Sequence, residues 1–222
     1  MITLSQSPTV KAILARAVVF IVDDDSAMCE SLCWLIESIG LKAKSFTCAA
    51  AFLSDYDPQQ PGCLITDVRM PGTSGLELHA KLAAAGSPLP VLLITGHGDV
   101  PMAVRAMRHG AFDFLEKPFN DQALLESIGQ AIEHNHHQRE ARRLQQQHEQ
   151  KLDSLTSRER QVLDLVIQAR LNKQIAGILG LNEKTIESHR ANVMKKMGAA
   201  TVVELVRMVM GQPLNGAGDG VA

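Results

Sequence analysis

The first 130 residues alternate between short unbroken apolar runs and stretches in which apolar residues recur every three or four positions. Val18 to Val22 is continuous and largely β-branched, which predicts a strand covered on both faces. From Ser26, Met28, Leu32, Leu35, Ile36 and Ile39 fall on one helical stripe, and Gly40 supplies the stop. The alternation then repeats, with strands expected over 43–46, 64–66, 91–94 and 112–115. Helices are expected from Ala49, from Gly75 to Leu82, from an Asp99 cap with Pro101 in the first turn to His109, and from Asp121 onward. Five strands separated by helices predict a parallel sheet covered on both sides, an α/β fold.

Beyond about Gln130 the pattern changes. Residues 134–151 are almost wholly polar, without Gly or Pro, and predict an exposed helix leaving the fifth helix as a semi-rigid connector. After Leu155 the periodicity is helical only, over 157–168, 172–179, 183–197 and 201–210, with a Thr156–Glu159 capping box at the first of these. The expected organisation is a leader at 1–16, an α/β domain at 17–130, a helical linker at 131–152, a four-helix domain at 153–210 and a disordered tail at 211–222. A stretch of 222 residues is long enough for two cores.

Composition sharpens the division. Residues 1–127 carry nine Lys/Arg against fourteen Asp/Glu, and residues 128–222 carry thirteen against ten. An acidic front and a mildly basic back suit a cation-handling module joined to a polyanion-handling one. The start lacks the order of a signal peptide and no run is long enough to span a bilayer, so a cytoplasmic protein without membrane contact is expected. Cys29, Cys33, Cys48 and Cys63 lack metal spacing and sit in apolar patterning, which predicts buried free thiols. His134, His136 and His137 read as a solvated helix face rather than a metal site.

The chemistry lies at the strand ends, where open parallel sheets gather functional groups. Asp23, Asp24 and Asp25 follow the first strand, Asp67 ends the third, Thr95 ends the fourth, and Lys117 follows the fifth. Neighbouring carboxylates repel one another and need a cation to stay ionised, and oxygen ligands of this kind favour Mg²⁺. A carboxylate can also attack a phosphoryl group, whose oxygens are then neutralised by a metal, an ammonium and a hydroxyl.

Asp-Asp after strand one, Asp-x-x-Met-Pro-Gly after strand three, Thr-Gly after strand four and Lys-Pro-Phe after strand five resemble a two-component response-regulator receiver domain over residues 17–130. Gly96 to Val104 resembles the FixJ-like branch. The resemblance implies a doubly wound, flavodoxin- and CheY-like sheet, with Asp67 as phosphoacceptor and Lys117 at the phosphoryl group. It further implies Mg²⁺ bound by Asp24, Asp67 and the Arg69 carbonyl, with Asp23 acting through water. Thr95 and Phe114 would form the switch pair, although Phe114 is also explicable as core. Asp25 is read as lining the pocket edge.

The back domain shows a short helix, a Gly180-Leu181-Asn182 turn and a longer basic helix, which fits a helix-turn-helix as well as a structural helical hairpin. Leu-Thr-x-Arg-Glu-x-x-Val-Leu, Asn-Lys-x-Ile-Ala, Thr-Ile-x-x-His-Arg and Val-Met-x-Lys-Met resemble the LuxR-type DNA-binding domain over 153–210. That resemblance places Glu187, Ser188 and Ala191 at base-facing positions. It places Asn172, Lys173, Thr185, His189, Arg190 and Lys195 at phosphates, with Lys184 on the same basic helix.

The expected partners are a sensor histidine kinase, double-stranded DNA carrying two half-sites, a second copy of the chain on phosphorylation, and RNA polymerase. Val104 and Arg108 are the expected dimer contacts. No catalysis is expected beyond phosphoryl transfer onto Asp67 and its hydrolysis. An aspartyl-phosphate phosphohydrolase is disfavoured by the order of its acids, and a receiver acting by protein contact alone is the alternative.

Overall fold

The computed structural model describes residues 8–96 and 100–210, which divide into two compact units at residues 141 and 142. The expected Asp99 cap and the expected disordered tail lie outside the described residues. In the first unit, β1 (Val18–Val22), β2 (Lys42–Phe46), β3 (Gly62–Asp67), β4 (Val91–Thr95) and β5 (Asp113–Glu116) form one parallel sheet in the order β2-β1-β3-β4-β5. β3 and β4 are buried along their whole length, as their unbroken apolar runs require.

The period of two in a strand sorts the side chains between two cores. Val19, Ile21, Cys63, Ile65, Leu92 and Ile94 face α2 (Ser26–Ser38) and the start of α6 (Asp121–Asp153). Phe20, Val22, Leu64, Val91 and Leu93 face α3 (Ala49–Asp55), α4 (Gly75–Ala84) and α5 (Val100–Arg108). Pro8–Arg16 is a helix, α1, where a loosely ordered leader was expected; Leu14 joins the core between Ala17 and the α6 face.

The polar connector also departs from expectation near its start. α6 is a single helix of 33 residues, but Asn135 is fully buried rather than solvated. Its Oδ1 accepts from Gly62 N at 3.1 Å, and its Nδ2 donates to Pro88 O at 2.6 Å. Arg139, one turn on, donates to Asn135 Oδ1 and to the carbonyls of Pro58, Gln59 and Gln60. These two side chains tie α6 to the loops that lead into β3 and β4. Asn135→Ala should therefore leave the buried Gly62 N–H unpaired, costing about 1–3 kcal/mol, with a smaller loss at the half-buried Pro88 carbonyl. Urea unfolding of the full chain checks this, and an unchanged midpoint would contradict it.

Two thiols are less buried than expected: Cys29 and Cys63 are buried, while Cys33 and Cys48 are half-buried. Cys33 lies beside the α2 stripe, and Cys48 precedes α3 at its N-cap.

The second unit packs α7 (Ser157–Ile167), α8 (Asn172–Leu179), α9 (Glu183–Met197) and α10 (Val202–Val209) around Val162, Leu163, Ile175, Ile186, Val193, Met197 and Leu205. The Thr156–Glu159 capping box forms as expected. Glu159 is buried and accepts from Lys196 Nζ at 2.6 Å. Lys196 and the Thr156 N–H hold the Glu159 carboxyl at about 2, down from 4.5. A depressed carboxylate contributes stability above its unfolded pKa, and the contribution fades as pH falls toward the folded value. The second unit should thus weaken between about pH 4.5 and pH 2. Glu159→Gln should flatten that part of the profile when thermal unfolding is followed across pH.

Candidate functional site

Strand register brings the candidate groups together. Val22 pairs with Thr66, Asp67 with Ile94, and Thr95 with Glu116, so the carboxyl ends of β1, β3, β4 and β5 share one rim. Backbone hydrogen bonds seat the residues beyond the strands: Asp23 N on Phe46 O, Val68 N on Ile94 O and Lys117 N on Thr95 O. The rim lies where the chain turns to opposite sides of β1, the switch point of a doubly wound sheet.

Lys117 Nζ lies 2.8 Å from Asp23 Oδ2 and 2.8 Å from Asp67 Oδ1. Both carboxylates are buried. Burial alone would lower the Lys117 pKa, but the hydrogen bonds and charges of Asp23 and Asp67 outweigh it and raise it. The second oxygens are held as well: Asp25 N donates to Asp23 Oδ1 at 2.9 Å and Arg69 N to Asp67 Oδ2 at 2.6 Å. Thr95 is buried at the same rim, and Phe114 is half-buried against the β1–β3–β4 core.

Asp24 is exposed. Asp25, next to Asp23 at the site, also caps α2, accepting from Ala27 N and Met28 N. Its role was hidden because a cap and a pocket acid look alike in a run of three Asp.

In the second unit Gly180, at φ 66°, caps α8 in a left-handed turn, and Asn182 caps α9 through Thr185 N. Lys184, Glu187, Ser188, Ala191 and Lys195 are exposed along one stripe of α9, opposite buried Ile186, Val193 and Met197. Lys173 is exposed on α8. Four residues expected at phosphates, Asn172, Thr185, His189 and Arg190, are half-buried. Arg190 Nη1 donates to Asn172 Oδ1 at 2.9 Å, which joins α9 to the first turn of α8. The Thr185 hydroxyl donates to Asn182 Oδ1 at 2.8 Å.

Residues 19–129 match the family model for the response regulator receiver domain, and residues 153–209 match that for bacterial regulatory proteins of the luxR family. The chain is 47% identical over 192 residues to the transcriptional regulatory protein FixJ of Azorhizobium caulinodans, covering 86% of this chain and 91% of that one. It belongs to the two-component response regulators. It is also 46% identical over 193 residues to the response regulator protein TmoT of Ectopseudomonas mendocina, covering 87% and 88%. The solved structure of the response regulator StyR superposes with a TM-score of 0.85 at 48% identity, covering 89% of this chain and all of that one. Full-length FixJ from B. japonicum gives 0.55 at 43% identity, covering 88% and 97%.

In this response regulator the donor set suits a hard divalent cation. Two buried carboxylates share one ammonium, which leaves negative charge unbalanced, and Asp24 adds more at the same turn. Among the described residues, no three His, Cys, Asp or Glu side chains are already gathered as a metal cage. No described helix is long and apolar enough to cross a membrane.

Two surface residues escaped the sequence reading. Trp34 lies off the buried stripe of α2 and is 79% exposed, in a groove shared with Leu35, Lys117, Pro118 and Phe119. Met107 is exposed on α5 beside Val104 and Arg108. Its three-residue step from Val104 was the available signal.

Proposed function

We propose that this response regulator is a transcription factor switched by Mg²⁺-dependent phosphorylation of Asp67. The observation that carries the reading is the Lys117 ammonium between the buried carboxylates of Asp23 and Asp67. An Asp67 oxygen attacks the phosphorus of a donor, the bond from phosphorus to the donor breaks, and an acyl phosphate forms. Lys117 neutralises an oxygen of the transferred group, and the Thr95 hydroxyl binds another. Asp23, Asp24, Asp67 and the Arg69 carbonyl would hold Mg²⁺, which supplies the remaining charge neutralisation when bound. No turnover of an external substrate is proposed beyond loss of the phosphoryl group to water.

The physiological donor is a sensor histidine kinase, and the groove beside Lys117 with its exposed Trp34 supports approach by a protein. Phosphorylation draws Thr95 inward and lets Phe114 follow, altering α5 and β5. Two copies then pair through Val104, Met107 and Arg108. Their α9 helices enter successive major grooves of an operator with two half-sites, and RNA polymerase is the downstream partner.

Gel-shift with random-sequence and in-vitro-selected duplexes, with and without acetyl phosphate and Mg²⁺, tests the reading. Tighter, dimeric binding after treatment is expected. Failure to bind DNA in either state would leave a regulator acting by protein contact alone.

A further inference from the structure

Gly75 opens α4 immediately after the Ser74 cap, and it is buried against the strand that carries Asp67. Its N–H donates to Val68 O at 3.1 Å. A Cβ at this position would stand 2.2 Å from the Asp67 carbonyl oxygen, 3.0 Å from its carbon and 3.1 Å from Thr66 Cγ2. The nearest of these is backbone, so no flexible side chain can move aside. Gly72 differs: it adopts φ 79° in the turn, and a Cβ there would meet nothing within 4 Å.

α4 cannot readily slide away to make room. Leu78 is fully buried in the core, and Ser74 and Glu77 close a reciprocal capping box at the helix start. The Asp67 peptide is equally constrained, by Val68 N on Ile94 O and by Arg69 N on its own carboxylate. A side chain at 75 must therefore displace the Asp67–Val68 peptide, and with it the carboxylate that meets Lys117.

We infer that Gly75 is a positioning residue for phosphoryl transfer: its missing side chain lets α4 seat on the Asp67 carbonyl and fixes the aim of the carboxylate. This rests on the reading of Asp67 as acceptor. A displacement near 1 Å at a reacting group costs up to about 100-fold in rate.

The test compares Gly75→Ala with Ser74→Ala in the full chain. Ser74→Ala loosens the start of α4 without adding a Cβ at the contact. Labelling by radioactive acetyl phosphate with Mg²⁺ is followed against donor concentration, together with the urea midpoint. Gly75→Ala should lower the maximal labelling rate about 10- to 100-fold and leave the half-saturating donor concentration nearly unchanged. Ser74→Ala should lose stability and keep its labelling rate. Wild-type labelling in Gly75→Ala overturns the inference, as does an equal rate loss in Ser74→Ala at the same loss of midpoint.

Should Gly75→Ala not fold, hydrogen exchange at the Gly75 amide of the wild type decides. It should change on phosphorylation, and an unchanged amide overturns the inference. An unlabelled wild type, or an Asp67→Asn variant that labels normally, would instead remove the underlying reading.

Discussion

Asp67→Asn should reduce Mg²⁺-dependent labelling by acetyl phosphate to background. The amide oxygen is a poor nucleophile, and the group cannot form an acyl phosphate. The fold should tolerate the change, because the replacement matches Asp in shape and relieves one of two carboxylates sharing the Lys117 ammonium. Lys117→Ala should behave differently. The nucleophile remains, so labelling should persist but slow by about 10²–10³, the usual loss when one charge-stabilising donor is removed. It should also destabilise the first unit, since two buried carboxylates then lose their counter-ion. The pair of variants separates acceptor from stabiliser. Undiminished labelling in Asp67→Asn would move the acceptor to the Asp23–Asp25 turn, and normal rates in Lys117→Ala would remove the ammonium from the mechanism.

The parts of this site that were legible in the sequence are those fixed by strand ends. An unbroken run such as Cys63-Leu64-Ile65 must be buried, so the polar residue that ends it must stand at the rim. The parallel order then follows from the intervening helices. What was not legible depends on polar groups finding one another across the chain. Asn135 and Arg139 sit in a helix whose composition reads as solvated, and nothing local tells that their partners are carbonyls near residue 60 and the amide of Gly62. The cap made by Asp25 was not legible for a similar reason, since three successive carboxylates do not reveal which turns back to cap a helix. The α1 helix was missed because it is only nine residues long, too short for its apolar residues to repeat over more than about two turns.

The same limit shapes what should happen on DNA. Basic residues on a recognition helix look interchangeable in sequence, yet the structure divides them. Lys195 is exposed on the open face of α9, whereas Arg190 is paired with Asn172 inside the unit. Each phosphate contact contributes roughly −0.9 to the slope of log affinity against log salt. Lys195→Ala should therefore flatten that slope by about one and weaken all duplexes evenly. Arg190→Ala should weaken binding with the slope unchanged, because it disorders the join between α8 and α9 instead of freeing a counter-ion. Its effect and that of Asn172→Ala should then be non-additive, as for two ends of one hydrogen bond. Glu187→Ala should do neither: it should relax sequence preference by about 1–3 kcal/mol at a single position, consistent with a carboxylate accepting from a cytosine amino group. Fluorescence anisotropy across a salt series, with a selected duplex and a random one, distinguishes all three. A slope reduced by one in Arg190→Ala would return that residue to the phosphate backbone and make its contact with Asn172 incidental.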